Sequence, residues 1–319
     1  MKPHNSKIRP VAFSEYIGQE SIKNTLQVMI GASQIRNSPL PHILLHGRAG
    51  TGKTTLASLI ANEANLEIKY TQGSMFEKKS DLLNIFTNLP ENCILFIDEI
   101  HSINKSVEEL LYTLMEDFAI DVVLGVEQNS KIVRMKVRPF TLIGATTLLQ
   151  AISKPLKDRF GYISRIKPYT VFHIEQILEN SAKKLNILID NYSCKLIASN
   201  SKNTPRIANH LLQRVSDFSV YNDEIINVHL TVKALENLGI YEYGLDEDQI
   251  QYLKVFNNRF KNQNLSIDLI SGIMNMNKDL LINEIEPLLI EQKLIQKSSF
   301  GRKLTLKGKE YLEKNNFNN

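Results

Sequence analysis

Three observations predict an α/β fold: a parallel sheet carrying a phosphate loop, then a helical lid domain and a winged helix. The first is Gly47-Arg48-Ala49-Gly50-Thr51-Gly52-Lys53-Thr54, which fits G-x-x-x-x-G-K-[ST]. It lies between an apolar run of strand length, His42 to His46, and a run with helical spacing, Thr55 to Ala61. The second is Cys93-Ile94-Leu95-Phe96-Ile97-Asp98-Glu99, a buried-type strand that ends in two acids. The third is the alternation of strand-like and helix-like segments up to Thr147, which gives way to helices alone from about Pro168. Strands that alternate with helices form a parallel sheet covered on both faces. The divisions expected are 1–167 for the phosphate-loop domain, 168–243 for the lid and 244–319 for the winged helix.

Each element has a local reason. After Arg9-Pro10, the segment Ser14 to Gln19 leads into a helix through about Ser33. The phosphate loop follows, then a strand at Glu67–Tyr70 and a helix at Lys79–Leu89 that Pro90 stops. The acidic strand comes next, then a helix from Asn104 to about Phe118. Ile120–Leu124 and Ile132–Val137 read as two strands around the polar turn Glu127-Gln128-Asn129-Ser130, a hairpin that interrupts the alternation. Phe140–Thr147 is a further buried-type strand. Four helices are expected at Val171–Leu185, Tyr192–Asn200, Pro205–Tyr221 and Val232–Leu238. Beyond Gly244-Leu245-Asp246, helices at Glu247–Phe260, Ser266–Met274 and Lys278–Lys293 precede two short strands, Leu294–Gln296 and Lys303–Thr305. Three helices and a hairpin make a winged helix, which binds nucleic acid or serves protein contacts.

The chemistry follows from the two motifs. Glycines let backbone N–H groups turn inward around phosphate oxygens, and the helix N-terminus adds partial positive charge there. Lys53 would reach the outer phosphates and the Thr54 hydroxyl would ligate Mg²⁺. Asp98 would hold Mg²⁺ through water, and Glu99 would polarise the attacking water. Ligands of such sheets sit at the carboxyl ends of the strands, so Gly47, Asp98 and Thr146 can converge on one nucleotide.

Composition sets the bounds. The chain has 319 residues, 43% hydrophobic and 23% charged, enough for two or three domains. No stretch is long and apolar enough to span a membrane. Met1 to Lys7 lacks the apolar core of a signal peptide, and the expected location is cytoplasmic. Two cysteines, Cys93 and Cys194, cannot make a zinc site, and Cys93 in a central strand reads as a buried free thiol. A net charge of +4 permits nucleic-acid binding without requiring it.

A series of stretches then resembles, in order, the RuvB family, AAA+ motors that drive branch migration at Holliday junctions. They are Ile8-Arg9-Pro10, Tyr16-Ile17-Gly18-Gln19, the phosphate loop, Leu95 to His101, Leu111-Tyr112 through Met115-Glu116-Asp117-Phe118, Phe140 to Thr147, Pro155 to Gly161 and Thr204 to Asn209. Together they cover most of residues 8–220. The resemblance implies that Ile8, Arg9, Glu116, Asp117, Phe118 and Tyr169 lie against the adenine end of ATP. Gly50, Lys53, Thr54 and Thr55 would hold phosphates and Mg²⁺. Thr146 would be the sensor near the γ-phosphate, and Arg206 a second sensor in the lid. Arg159 would be an arginine finger serving a neighbouring subunit. It also implies a homo-oligomeric ring, a hexamer, around duplex DNA, docking of a RuvA-like junction-binding protein on the Ala119–Val137 hairpin, and work beside a RuvC-like resolvase. The other reading of the hairpin is a local brace for the sheet.

The chain departs from the family in places. Arg48 and Ala49 stand where the loop has two prolines, and Lys261 to Leu265 replaces a Gly-Pro-Val-Gly stretch. The family's DNA-contacting wing has two arginines five apart, and the matching positions here are Lys297 and Arg302. Lysine keeps the charge and loses the fork, a change that phosphate contact tolerates better than base reading. No acid lies between Lys297 and Lys303, so the wing is expected to grip the DNA backbone. The expected activity is ATP hydrolysis driving Holliday-junction branch migration in recombination and repair. The alternatives are a clamp-loader-like AAA+ ATPase, against which Lys157-Asp158-Arg159 replaces the Ser-Arg-Cys of those proteins, and an adaptor that uses ATP only for shape.

Overall fold

The protein is described by a computed structural model covering residues 8–124, 131–258, 260, 263–315 and 317. The chain divides into two compact units, Met1–His173 and Ile174–Asn319.

The first unit is built on a parallel sheet of order β2-β3-β6-β1-β7. Its strands are β1 (Ile43–His46), β2 (Ile68–Gln72), β3 (Cys93–Asp98), β6 (Phe140–Thr146) and β7 (Tyr162–Arg165). The register aligns His46 with Thr146 and Ile97 with Gly144, so β1, β6 and β3 end side by side. Alternate residues divide between two cores. Leu44, Leu95, Ile97 and Leu142 face one core, with Leu82, Phe86, Leu111 and Leu114 of α3 (Lys79–Thr87) and α4 (Lys105–Asp117). Ile43, Leu45, Ile94, Phe96, Ile143 and Ala145 face the other, with Leu26, Ile30, Leu56 and Ile60 of α1 (Glu20–Arg36) and α2 (Lys53–Ala64). Both faces are covered, which is why β3 and β6 read as unbroken apolar runs.

The hairpin forms as a separate antiparallel pair, β4 (Ala119–Leu124) and β5 (Lys131–Lys136), with Ala119 opposite Lys136 and Leu124 opposite Lys131. Its turn, at 125–130, lies outside the described residues. In this unit a helix and a strand go beyond the sequence expectation: α5 (Lys154–Asp158), capped by the Ser153 side chain, and β7. Only Ser164 of β7 is buried, because β7 is the sheet edge, and an edge strand leaves no apolar run to read.

His42, just before β1, ties the sheet to α4. Its Nδ1 accepts from the Leu142 N–H at 2.9 Å, so Nε2 carries the proton and donates to the Met115 carbonyl at 3.0 Å. Burial lowers its pKa, against a smaller raising effect of the Met115 bond. The folded value therefore lies below the ordinary 6.5. Above that pH both states are neutral and the contribution is complete. As pH falls, the unfolded chain takes a proton that the folded chain resists, and stability is lost down through the lowered pKa. Thermal midpoints should thus fall between pH 7.5 and 5.5, and His42→Gln should flatten the decline. An equally steep decline in the variant would remove His42 from the account.

The second unit contains the rest of α6 (Val171–Leu185), then α7 (Asn191–Ser199), α8 (Pro205–Asn222) and α9 (Val228–Asn237). The side chains of Asp190 and Asn227 cap α7 and α9. The winged helix follows with α10 (Glu247–Asn258), α11 (Ile267–Met274) and α12, which runs through Lys278–Leu280, a π-helical turn Leu281–Ile285 and Glu286–Glu291. The π turn precedes Pro287, whose missing N–H breaks the regular ladder. The wing is β8 (Ile295–Ser298) and β9 (Gly301–Leu304), and α13 (Leu306–Lys314) closes the core. Asn200 Oδ1 accepts from the Gly244 N–H at 3.0 Å and Lys202 pairs with Asp246 at 3.1 Å, which joins the lid helices to the winged helix. Among the described residues no helix is long and apolar enough to cross a membrane.

Candidate active site

The phosphate loop spans Gly47 to Gly52, between the end of β1 and the start of α2. Gly52 caps α2 with φ +96, and a Cβ there would lie 3.0 Å from the Tyr16 hydroxyl oxygen, so both conformation and space call for glycine. No side chain caps α2, which leaves the N–H groups of its first turn for an anion. Lys53 is 6% exposed, and its Nζ donates to the carbonyls of Gly47 at 2.9 Å and Arg48 at 3.1 Å. The ammonium is thus held inside the loop. Thr54 and Thr55 are half-buried on the first turn of α2, and Gly50 (φ +74) is half-buried in the loop. The residues present fit a polyphosphate.

At the end of β3, Asp98 Oδ1 accepts from the Glu99 N–H at 3.1 Å. Glu99 adopts a left-handed conformation, φ +45, unusual for a residue with a side chain. Gly73 allows this turn its space, since a Cβ there would come within 2.4 Å of the Glu99 carbonyl oxygen. The Glu99 carboxylate is tied to Thr147, the residue after β6. Its Oε2 accepts from the Thr147 N–H at 3.3 Å and the Thr147 hydroxyl at 3.1 Å, and lies 3.1 Å from His101 Nδ1. The same Nδ1 is 3.0 Å from Oγ1 of Thr146, which is fully buried and accepts from the Leu148 N–H at 2.9 Å. A carboxylate only accepts, so Nδ1 carries the proton on this side.

His101 and Thr147 carry no functional assignment in the sequence reading, although His101 stands two residues beyond Glu99. The signal was a polar side chain just past the acidic pair. Loss of one hydrogen bond to a charged group costs about 1.5 kcal/mol, roughly tenfold in rate. His101→Gln should lower kcat for ATP hydrolysis by about that factor with KM unchanged. His101→Asn, whose amide nitrogen takes the place of Nδ1, should recover most of it. Equal kcat in both variants would show that the Nδ1 contact does not matter.

Of the six residues expected at the adenine end, three lie on the phosphate-loop side or in the segment leading to it. The Tyr169 hydroxyl donates to the Thr51 carbonyl at 3.3 Å and lies 3.1 Å from Tyr16 Oη, whose proton it can accept, and burial raises the pKa of both tyrosines. Ile8 is half-buried and Arg9 exposed, ahead of a segment whose Val11 carbonyl accepts from Asn62 of α2 at 3.1 Å. Glu116, Asp117 and Phe118 require a correction. They end α4 at the opposite end of the sheet, where Phe118 packs 5.6 Å from the ring of Phe140, the first residue of β6. Six steps of about 3.3 Å separate Phe140 from Thr146, roughly 20 Å, so these three cannot line the same chain's nucleotide. Arg159 is exposed beside them, and its Nη2 lies 2.6 Å from Glu116 Oε2. The neighbouring Asp117 pairs with Arg134 of β5 at 2.5 Å.

In the second unit, Arg206 is exposed on the first turn of α8. The wing places its two expected DNA-contacting cations differently. Lys297 is 44% exposed, but Arg302 is nearly buried, with Nε 2.6 Å from Oε1 of the buried Glu286. The wing itself holds no acid between Lys297 and Lys303, and this carboxylate comes from α12.

Comparison with known proteins gives a consistent result. Residues 8–166 match the family described as the Holliday junction DNA helicase RuvB P-loop domain, 169–241 the RuvB AAA lid domain and 242–313 the RuvB C-terminal winged helix domain. The chain is 52% identical over 309 residues to the Holliday junction branch migration complex subunit RuvB of Mycoplasmopsis pulmonis, covering 97% of this chain and 98% of that protein. It is 48% identical over 307 residues to the same subunit of Mycoplasmopsis synoviae, covering 96% and 97%. The solved Thermotoga maritima RuvB Holliday junction branch migration motor superposes with a TM-score of 0.80 at 35% identity, covering 96% of this chain and 98% of that one.

Proposed function

The chain belongs to the RuvB family, and on that premise we propose how its residues drive Holliday-junction branch migration with ATP. It is a nucleotide-binding ATPase and branch-migration motor, so the clamp-loader and adaptor alternatives fall away. One observation carries the residue assignments: the uncapped loop with Lys53, the Asp98–Glu99 turn and Thr146 all stand at the same ends of adjacent strands.

In this reading the N–H groups from Gly50 to Thr55 and the Lys53 ammonium hold the phosphates. Ile8, Arg9 and Tyr169 take the adenine end. Thr54 and Asp98 would hold Mg²⁺, which offsets charge on the transferring phosphoryl group when bound. Glu99 orients and polarises the attacking water. His101 and Thr147 set the direction of its carboxylate. Thr146, which meets that carboxylate only through His101, senses the γ-phosphate. Arg206 reports nucleotide to the lid. Arg159, with Glu116, Asp117 and Phe118, serves the site of a neighbouring subunit. Its place at the far end of the sheet supports this, because the finger is out of reach of its own loop. A homo-oligomeric ring, hexameric as the family resemblance implies, follows from a site shared between subunits. The β4–β5 hairpin is the docking element for a RuvA-like junction-binding protein. The ring works in the cytoplasm beside a RuvC-like resolvase.

The test is branch migration on a synthetic four-way junction. Strand products should appear with ATP and Mg²⁺, increase with the RuvA-like partner and vanish when a non-hydrolysable analogue replaces ATP. Products that form equally without ATP would overturn the motor reading.

A further inference from the structure

We propose that the hydroxyls of Tyr16 and Tyr169 form a relay that fixes the Thr51–Gly52 peptide with its N–H toward the phosphates, which makes Tyr16 a positioning residue for the phosphate loop. The proposal rests on the reading of that loop as a phosphate cradle.

A phosphate loop works when its N–H groups turn toward the anion and its carbonyls turn away. The Thr51–Gly52 step has little to fix it locally. Gly52 carries φ +96, and glycine takes either sign of φ at little cost, so the peptide before it can turn over without a steric penalty. Among the described residues no peptide bond is cis. In a trans peptide the C=O and N–H point opposite ways, so whatever holds the Thr51 carbonyl also sets the Gly52 N–H.

Tyr169 holds that carbonyl. Its hydroxyl lies 3.3 Å from the Thr51 oxygen and 3.1 Å from Tyr16 Oη. A carbonyl only accepts, and a phenol has one proton to give. The Tyr169 proton therefore goes to Thr51 and the Tyr16 proton to Tyr169 Oη. The relay ends on a fixed post. Tyr16 is 4% exposed, packed in the core with Leu26, Leu56 and Ile60, and its own carbonyl accepts from Lys23 Nζ of α1 at 2.7 Å. The Thr51 side chain is held as well, its hydroxyl donating to the Arg48 carbonyl at 2.8 Å. Beyond Gly52 the next peptide is fixed by α2, since the Gly52 carbonyl accepts from the Leu56 N–H at 2.8 Å. Both peptides that flank this glycine are thus held, one by the helix and one by the two tyrosines. Burial raises both tyrosine pKa values above the ordinary 10, so the hydroxyls keep their protons and the relay its direction at neutral pH. The ring of Tyr169 and its hydroxyl then have separate tasks, the ring at the adenine end and the hydroxyl on the loop.

Inorganic tripolyphosphate separates those tasks, because it has no base. In the full-length protein with Mg²⁺, tripolyphosphate and ATP are each made to compete with a fluorescent ATP analogue. Tyr169→Phe should weaken both competitors by the same factor, about tenfold, and Tyr16→Phe both by about threefold, the range for loss of one hydrogen bond. Weakened ATP with unaltered tripolyphosphate would confine Tyr169 to the base and overturn the proposal. A measurement on the parent decides the case even where a variant does not fold. Thr51–Gly52 is the one Thr–Gly step in the sequence, so ¹³C at threonine carbonyls and ¹⁵N at glycine nitrogens isolate the Gly52 amide by NMR. Its proton should move downfield when tripolyphosphate is added, as an N–H does when it donates to an anion. No movement at saturation would overturn the proposal. A parent from which tripolyphosphate displaces no analogue would instead overturn the reading of the loop as a phosphate cradle.

Discussion

Glu99→Gln should bind ATP as the parent does and hydrolyse it about 10²–10⁴-fold more slowly, the range that a general base contributes. The amide preserves shape but cannot polarise water as a carboxylate does. It also disturbs the local network: Glu99 Oε2 faces three donors, from the Thr147 N–H, the Thr147 hydroxyl and His101 Nδ1. An amide NH₂ in that place would repel them, so the amide oxygen must turn toward them and its nitrogen toward the site. Lys53→Ala is the contrasting variant, since its ammonium is part of the loop and its loss should weaken nucleotide binding itself. A fluorescent ATP analogue measures the first property and phosphate release the second. Parent-rate hydrolysis by Glu99→Gln would mean that another group orients the water.

Arg159→Ala should cost about 10³–10⁵-fold in hydrolysis, the range of arginine fingers in other phosphoryl-transfer systems. The loss should be reparable by a neighbour. In a mixture with Lys53→Ala subunits, some interfaces join an intact loop to an intact finger, and hydrolysis should reappear as the two are mixed. The Glu116 carboxylate, 2.6 Å from Arg159, is the arginine's partner within its own chain. Absence of recovery at every mixing ratio, with co-assembly confirmed, would remove Arg159 from a shared site.

The sequence by itself determined the parts that depend on contiguous residues. The phosphate loop, the Asp98–Glu99 pair and the strand before each are legible because a backbone cradle needs glycines in order and a doubly covered strand needs an unbroken apolar run. The winged helix was legible as helix lengths and a hairpin, although the π turn before Pro287 and the edge strand β7 were not. Only the tertiary structure decided which side chains meet. His101 and Thr146 are 45 positions apart, and Glu99 and Thr147 are 48 apart, yet their contacts hold the Glu99 carboxylate in place. The Glu116–Phe118 stretch reads as a contact to the chain's own nucleotide until the sheet register sets it a strand's length from the loop. Arg302 reads as a surface cation until α12 brings Glu286, 16 positions earlier, beneath it. The physical reason is common to all of these. A local motif is specified by backbone conformation and its immediate neighbours, whereas the charge state, exposure and reach of a side chain are specified by whatever the packed core carries to it from elsewhere in the chain.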